Sequence, residues 1–112
     1  MAVVANITVD QGSLFDSTID VEDASGNPAD LTGYTARGQI RKTYSSSTAV
    51  DFSASVTDPS GGKIKITLTG TQTQGMKAGR YVYDVEVVSS GGSVTRVVEG
   101  QVEVTPRVTR TP

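Results

Sequence analysis

The chain has 112 residues, of which 36% are hydrophobic, enough for one core and too few for two. It contains no cysteine and no histidine, which excludes disulfide staples and removes the commonest general base and the commonest metal ligands. A net charge of −2 argues against a nucleic acid backbone as partner, because affinity for phosphates rests on clustered Lys and Arg.

Residues 6–10 read as a short first strand with Ile7 and Val9 inward, and Gln11-Gly12 breaks it. Residues 14–23 form a second strand, with Phe15, Ile19 and Val21 on one face and Asp16, Thr18, Asp20 and Glu22 on the other. The run Ala24-Ser25-Gly26-Asn27-Pro28 is a turn, after which Leu31 plugs the core. A third strand over residues 33–42 sets Tyr34, Ala36, Gly38 and Ile40 against a basic outer row that includes Arg37 and Arg41. Residues 44–49, with three consecutive serines, read as a flexible loop. Residues 50–56 form a fourth strand with Val50, Phe52, Ala54 and Val56 on one face, and Asp58-Pro59-Ser60-Gly61-Gly62 turns into a fifth over residues 63–69. Residues 71–77 allow one helical turn capped by Thr71.

The clearest stretch is residues 80–104, a long β-hairpin closed by a Ser/Gly cluster. Alternation puts Tyr81, Tyr83, Val85 and Val87 on the core face and Val82, Asp84 and Glu86 on the other. A tight turn on Ser90-Gly91 sets Val87 opposite Val94, Tyr83 opposite Val98 and Tyr81 opposite Gly100. Arg96 then falls on the inner face, which requires either a position near the sheet end or a local bulge. Asp84, Glu86, Glu99 and Glu103 make the outer face acidic and wet.

About seven strands at intervals of roughly 8–12 residues are what an immunoglobulin-like antiparallel β-sandwich needs. The expected organisation is an N-terminal arm over residues 1–5, the sandwich over 6–104 and an extended C-terminal arm over 105–112. The start lacks the basic and apolar segments of a signal peptide, and no stretch approaches the roughly 20 apolar residues of a membrane span. The chain is therefore expected in the cytoplasm when made, away from membranes.

Nucleophilic catalysis would need a Ser or Thr beside a base, and these residues fall in turns and on outer strand faces. Asp84, Glu86 and Glu99 lack the apolar setting that tunes a glycosidase pair. Asp20, Glu22, Asp23 and Asp30 gather near one turn, but their spacing matches no calcium loop. No catalytic residue, metal or cofactor is expected. Of the four tyrosines only Tyr44 is expected to be exposed. It joins Val3 and Val4 at one end and Pro106, Arg107, Val108 and Arg110 at the other as candidate partner contacts, since terminal arms can add to a neighbour's sheet.

Four stretches in order carry a resemblance: residues 7–15 (ITVDQGSLF), 27–35 (NPADLTGYT), 40–42 (IRK) and 77–87 (KAGRYVYDVEV). Together they resemble small structural proteins of tailed bacteriophages, those of cyanobacterial and marine phages in particular. They are more distantly similar to the N-terminal domain of phage upper baseplate proteins. The resemblance implies an immunoglobulin-like fold and a non-enzymatic role in the virion, as a capsid decoration or a tail, neck or baseplate accessory. It also implies other virion proteins, or further copies of the same chain, as partners. The alternative is a carbohydrate-binding or host-adhesion module, which needs exposed aromatics on a loop rim.

Overall fold

The computed structural model describes residues 3–108. Nine strands and one short helix follow one another: β1 (Val3–Val4), β2 (Ile7–Asp10), β3 (Phe15–Asp20), β4 (Thr35–Arg41), β5 (Val50–Asp51), β6 (Ser53–Asp58), β7 (Lys63–Leu68), α1 (Gly70–Gln74), β8 (Gly79–Val88) and β9 (Val94–Thr105). They form two sheets. The larger runs β1-β9-β8-β4-β5, with β2 also on β9, and the smaller runs β3-β7-β6. This is an immunoglobulin-like all-β sandwich: the hairpin β8–β9 and β4 make up one layer, and β3, β7 and β6 the other.

The two layers close over Val85, Val102, Ile40, Val9, Ile64 and Leu68, all nearly inaccessible to water. Leu31 is buried as its position after the turn requires. Phe52 links the layers, its ring centroid 6.4 Å from that of Phe15 and 6.0 Å, edge-on, from that of Tyr83. Gly38 makes room for that ring, since a Cβ there would lie 3.0 Å from it and 2.9 Å from the Asp84 carbonyl. At the start of β8 the Tyr81 hydroxyl donates to the Lys77 carbonyl, four residues upstream, at 2.7 Å. Such a tyrosine corner pins the bend between the layers in immunoglobulin-like domains. The ammonium of Lys42 sits 4.8 Å above the Tyr81 ring.

Five features differ from the expectations. First, residues 50–56 are two strands: β5 pairs with β4 in one sheet, β6 pairs with β7 in the other, and Phe52 is the crossing point. A run that stays apolar on one face while changing sheets looks in sequence like one strand. Second, the turn at the tip of β8–β9 spans residues 89–93, with Ser89 and Ser93 joined by their backbones and through the Ser89 hydroxyl. This wider turn places Val88 opposite Val94. Third, the register then shifts between Val85 and Glu86, so that Val85 faces Val98 and Glu86 faces Arg96, with Val97 the extra residue. The bulge turns Arg96 outward and lets adjacent Val97 and Val98 both enter the core, which selects the second of the two readings for Arg96.

Fourth, the helix begins two residues earlier than expected, capped by Thr69 rather than Thr71. The Thr69 hydroxyl accepts from the Gln72 N–H and the Gln72 side chain accepts from the Thr69 N–H, a complete capping box. Buried Thr73 then donates to the Ser13 carbonyl at 2.9 Å and holds the helix on the β2–β3 turn.

Fifth, the described residues near both ends are bonded to the domain. β1 and β2 both lie parallel to β9, Val3 beside Val98 and Ile7 beside Val102, so the sandwich is not purely antiparallel and begins before residue 6. Parallel pairing of a chain's first and last strands leaves no turn signature, because the two are distant in sequence. At the other end Thr105 donates to Asp10 at 2.8 Å, and Arg107 donates to Gln74 at 2.7 Å and, through its backbone N–H, to Gln11 at 3.4 Å.

The N-terminal edge depends on Gly100. A Cβ at that position would run into the Ala5 carbonyl, which lies across β9 where it accepts a 2.5 Å hydrogen bond from the Tyr83 hydroxyl. Gly100→Ala should therefore destabilise by about 1–3 kcal/mol through forced backbone movement. Tyr83→Phe, which loses only the hydroxyl's bond, should cost about 1 kcal/mol. Urea unfolding of the two variants checks the order, and equal losses would count against the clash.

Candidate functional site

Beside β4, β8 and β9 lies an open groove of about 800 Å³, lined by outer-face charges and, from the core side, by Ala36, Phe52, Ala54 and Tyr83. Alternation along each strand builds its floor. Arg37, Gln39 and Arg41 project from β4, Asp84 and Glu86 from β8, and Arg96 and Glu99 from β9. The expected basic row on β4 thus lies beside the expected acidic row on the hairpin. Arg37 donates to Glu86 at 2.9 Å, while Arg96 lies 3.3 Å from Asp84 and 3.7 Å from Glu99. Gln39 bridges outward, donating to Asp51 at 2.7 Å and accepting from Arg41 at 3.0 Å.

Arg41 also shapes the loop that overhangs this face. Its guanidinium donates to the Ser46 carbonyl at 2.6 Å, and the Ser46 hydroxyl accepts from the Thr43 N–H at 3.1 Å. The serine-rich loop is therefore built around Arg41 rather than merely polar. It holds Tyr44 at the groove rim with 84% of its surface exposed, as expected. Tyr83 is buried, and Tyr34 and Tyr81 pack partly buried against the core.

Asp84 is the perturbed group of this face. Partial burial on the sheet pushes its carboxyl above the ordinary range. Arg96 pulls it down, but Arg96 is shared with Glu99, and Glu86 and Glu99 push it further up. An ion pair that leaves the acid's pKa raised contributes little to stability, and the exposed pairs here are each worth about 0–1 kcal/mol.

The other candidate residues do not converge. Val3 and Val4 are exposed on the edge of the larger sheet, 64% and 72% accessible. Pro106 and Val108 sit at the far end of β9 beside the β2–β3 turn, Val108 almost fully exposed, and Arg107 is half-buried against Gln74. Arg110 lies outside the described residues. Three of the four acids considered for calcium have local partners. Asp20 accepts from Lys63 at 2.7 Å, Asp23 accepts from the Ser25 and Asn27 N–H groups, and Asp30 takes the Thr32 hydroxyl and N–H, which lower its pKa. No group of three or more potential metal ligands is found among the described residues. Sequence reasoning missed the groove itself, because its floor joins residues of three strands whose register depends on the bulge.

Neither known family models nor curated proteins match this chain.

The raised Asp84 carboxyl has a definite pH consequence. Bound more tightly in the folded chain, its proton stabilises the fold fully below the unfolded value near 3.8, and this contribution is lost as pH rises through the folded value. Asp84→Asn should remove that loss, so the variant gains stability relative to wild type between about pH 3 and about pH 7. Urea unfolding at the two pH values checks the sign; a relative loss on going to neutral pH would mean that attraction to Arg96 outweighs burial.

Proposed function

We propose that this chain is a non-enzymatic structural subunit of a tailed-phage virion, acting through contacts with neighbouring proteins or copies of itself. The observation that carries this reading is where large apolar side chains meet water. Val3 and Val4 lie on a sheet edge, Leu14 and Val94 at turns, Tyr44 on a loop and Val108 at the C-terminal end. An apolar periphery around a polar-faced sandwich suits a unit held on several sides at once, where many weak contacts supply the affinity. The four stretches that resemble phage structural proteins support the same reading, as do ends fastened to the domain up to Arg107, which give a rigid block with fixed points of attachment.

A second reading, a glycan-binding module, draws on the meeting of Tyr44 with the groove. Paired charges there present hydrogen-bond donors and acceptors with little net charge, and an exposed ring stands at the rim. One aromatic gives it less support than the periphery gives the first.

Quantitative mass spectrometry of purified virions should find the chain in many copies. Truncation after Arg107, which spares the bonds to Gln11 and Gln74, should lower incorporation several-fold without unfolding the domain. A chain missing from virions but retained by immobilised glycans, with Tyr44→Ala abolishing retention, would overturn the assembly reading in favour of the second.

A further inference from the structure

The smaller sheet has an unusual edge. Strand β3 pairs with β7 through six consecutive residues without irregularity, from Phe15 opposite Leu68 to Asp20 opposite Lys63. On its other side no described residue pairs with it, and residues 15–20 make no backbone hydrogen bond outside the β7 ladder among the described residues. Immunoglobulin-like sandwiches commonly place a first strand here. In this chain the N-terminal strands lie instead on β9. The core shows the gap: Ile64, Ile66 and Leu68 on β7 are buried, while Phe15, Ser17 and Ile19 on β3 stay only half-buried.

The other edge strands are shorter or irregular, β2 covering four residues along β9. β1 and β5 are two residues each, and β6 bends at a register shift between Val56 and Asp58. β3 has neither protection. Its outward acids each have a lysine on β7, Asp20 with Lys63 at 2.7 Å and Asp16 with Lys65 at 4.0 Å, which lowers the net charge an approaching strand meets.

We infer that β3 is an assembly edge that pairs antiparallel with β3 of a second copy about a two-fold axis through Ser17. The inference deepens the assembly reading and rests on it. Antiparallel pairing must set inward residues opposite inward ones, which restricts the register to steps of two. Centring on Ser17 places Phe15 opposite Ile19 and Asp16 opposite Thr18, each twice by symmetry. The half-buried aromatic then gains a β-branched partner, a favoured cross-strand pair, and no like charges face each other. Centring on Thr18 instead would set Asp16 against Asp20. The two three-stranded sheets become one of six strands with every strand in the middle of it paired.

An edge of six residues falls short of the roughly 1,200 Å² that stable interfaces bury, so the pair forms only at high concentration in solution and persists where a particle supplies further contacts. The absence of native cysteine makes the geometry directly testable. Ser17→Cys, oxidised at about 1 mM protein, should give a disulfide-linked dimer at least five-fold more abundantly than Asp20→Cys, because only the former brings its own copy within disulfide reach. Thr18→Glu, on the exposed face and within reach of Lys65, should keep the fold but lower dimerisation several-fold by facing Asp16 of the partner copy. Asp16→Lys added to it should restore the dimer. Equal cross-linking of the two cysteine variants, or cross-linking of Ser17→Cys that Thr18→Glu leaves untouched, overturns this arrangement. Because these measurements use the purified chain alone, their failure is distinguishable from absence of the chain in virions.

Discussion

The close passage of the Ala5 carbonyl over Gly100 decides how the rest of the sandwich is laid out. Only a residue without a side chain lets that carbonyl reach the Tyr83 hydroxyl, and this bond, with the Ala5 N–H donating to the Glu99 carbonyl at 2.9 Å, fastens the N-terminal segment along β9. Asn6 completes the join by accepting from the Gln101 N–H at 3.0 Å. The larger sheet thereby covers the hairpin's outer edge. The smaller sheet is left with three strands, and β3 stands at its border.

Much of this was legible in residue order. Period-2 alternation located the core face of β8 and the inward set of β7, because burial on one face of a strand imposes that period whatever the topology, and the turn before it marked Leu31 as a plug. What alternation does not encode is which sheet a strand joins. The run from Val50 to Val56 keeps its apolar face through the crossing at Phe52, since a strand that bends across the core still presents one side to it. The bulge at Val97 was half legible: Arg96 on the wrong face announced an irregularity, but its place depended on a five-residue turn that the serines allowed without requiring. The terminal pairings were illegible. Partners some 95 residues apart, such as Thr105 and Asp10, share no local signal.

The same bulge builds the groove. By turning Arg96 outward it supplies a cation between Asp84 and Glu99, on a hairpin whose outer face would otherwise be a row of carboxylates. Arg37 does the same for Glu86 from the neighbouring strand. These exposed pairs add little to stability, but they hold the net charge of the face low where Asp84 and Glu99 stand directly opposite each other across the strands. A face so balanced neither attracts polyanions nor repels a neighbouring protein, which agrees with a small net charge spread over both signs.

Edges rather than faces therefore distinguish this sandwich. A sheet protein that must remain monomeric blunts its edges with short strands, bulges or charges. Three edges here are treated that way, and the devices are visible in β1, β5 and β6. β3 is long and regular, and the lysines of β7 offset its acids to a low net charge. The two-fold contact inferred at β3 closes on itself rather than propagating into a fibre. The exposed Val3 and Val4 on β1 and Val108 beyond the end of β9 lie away from this edge, so under the proposed assembly role they are left for other neighbours.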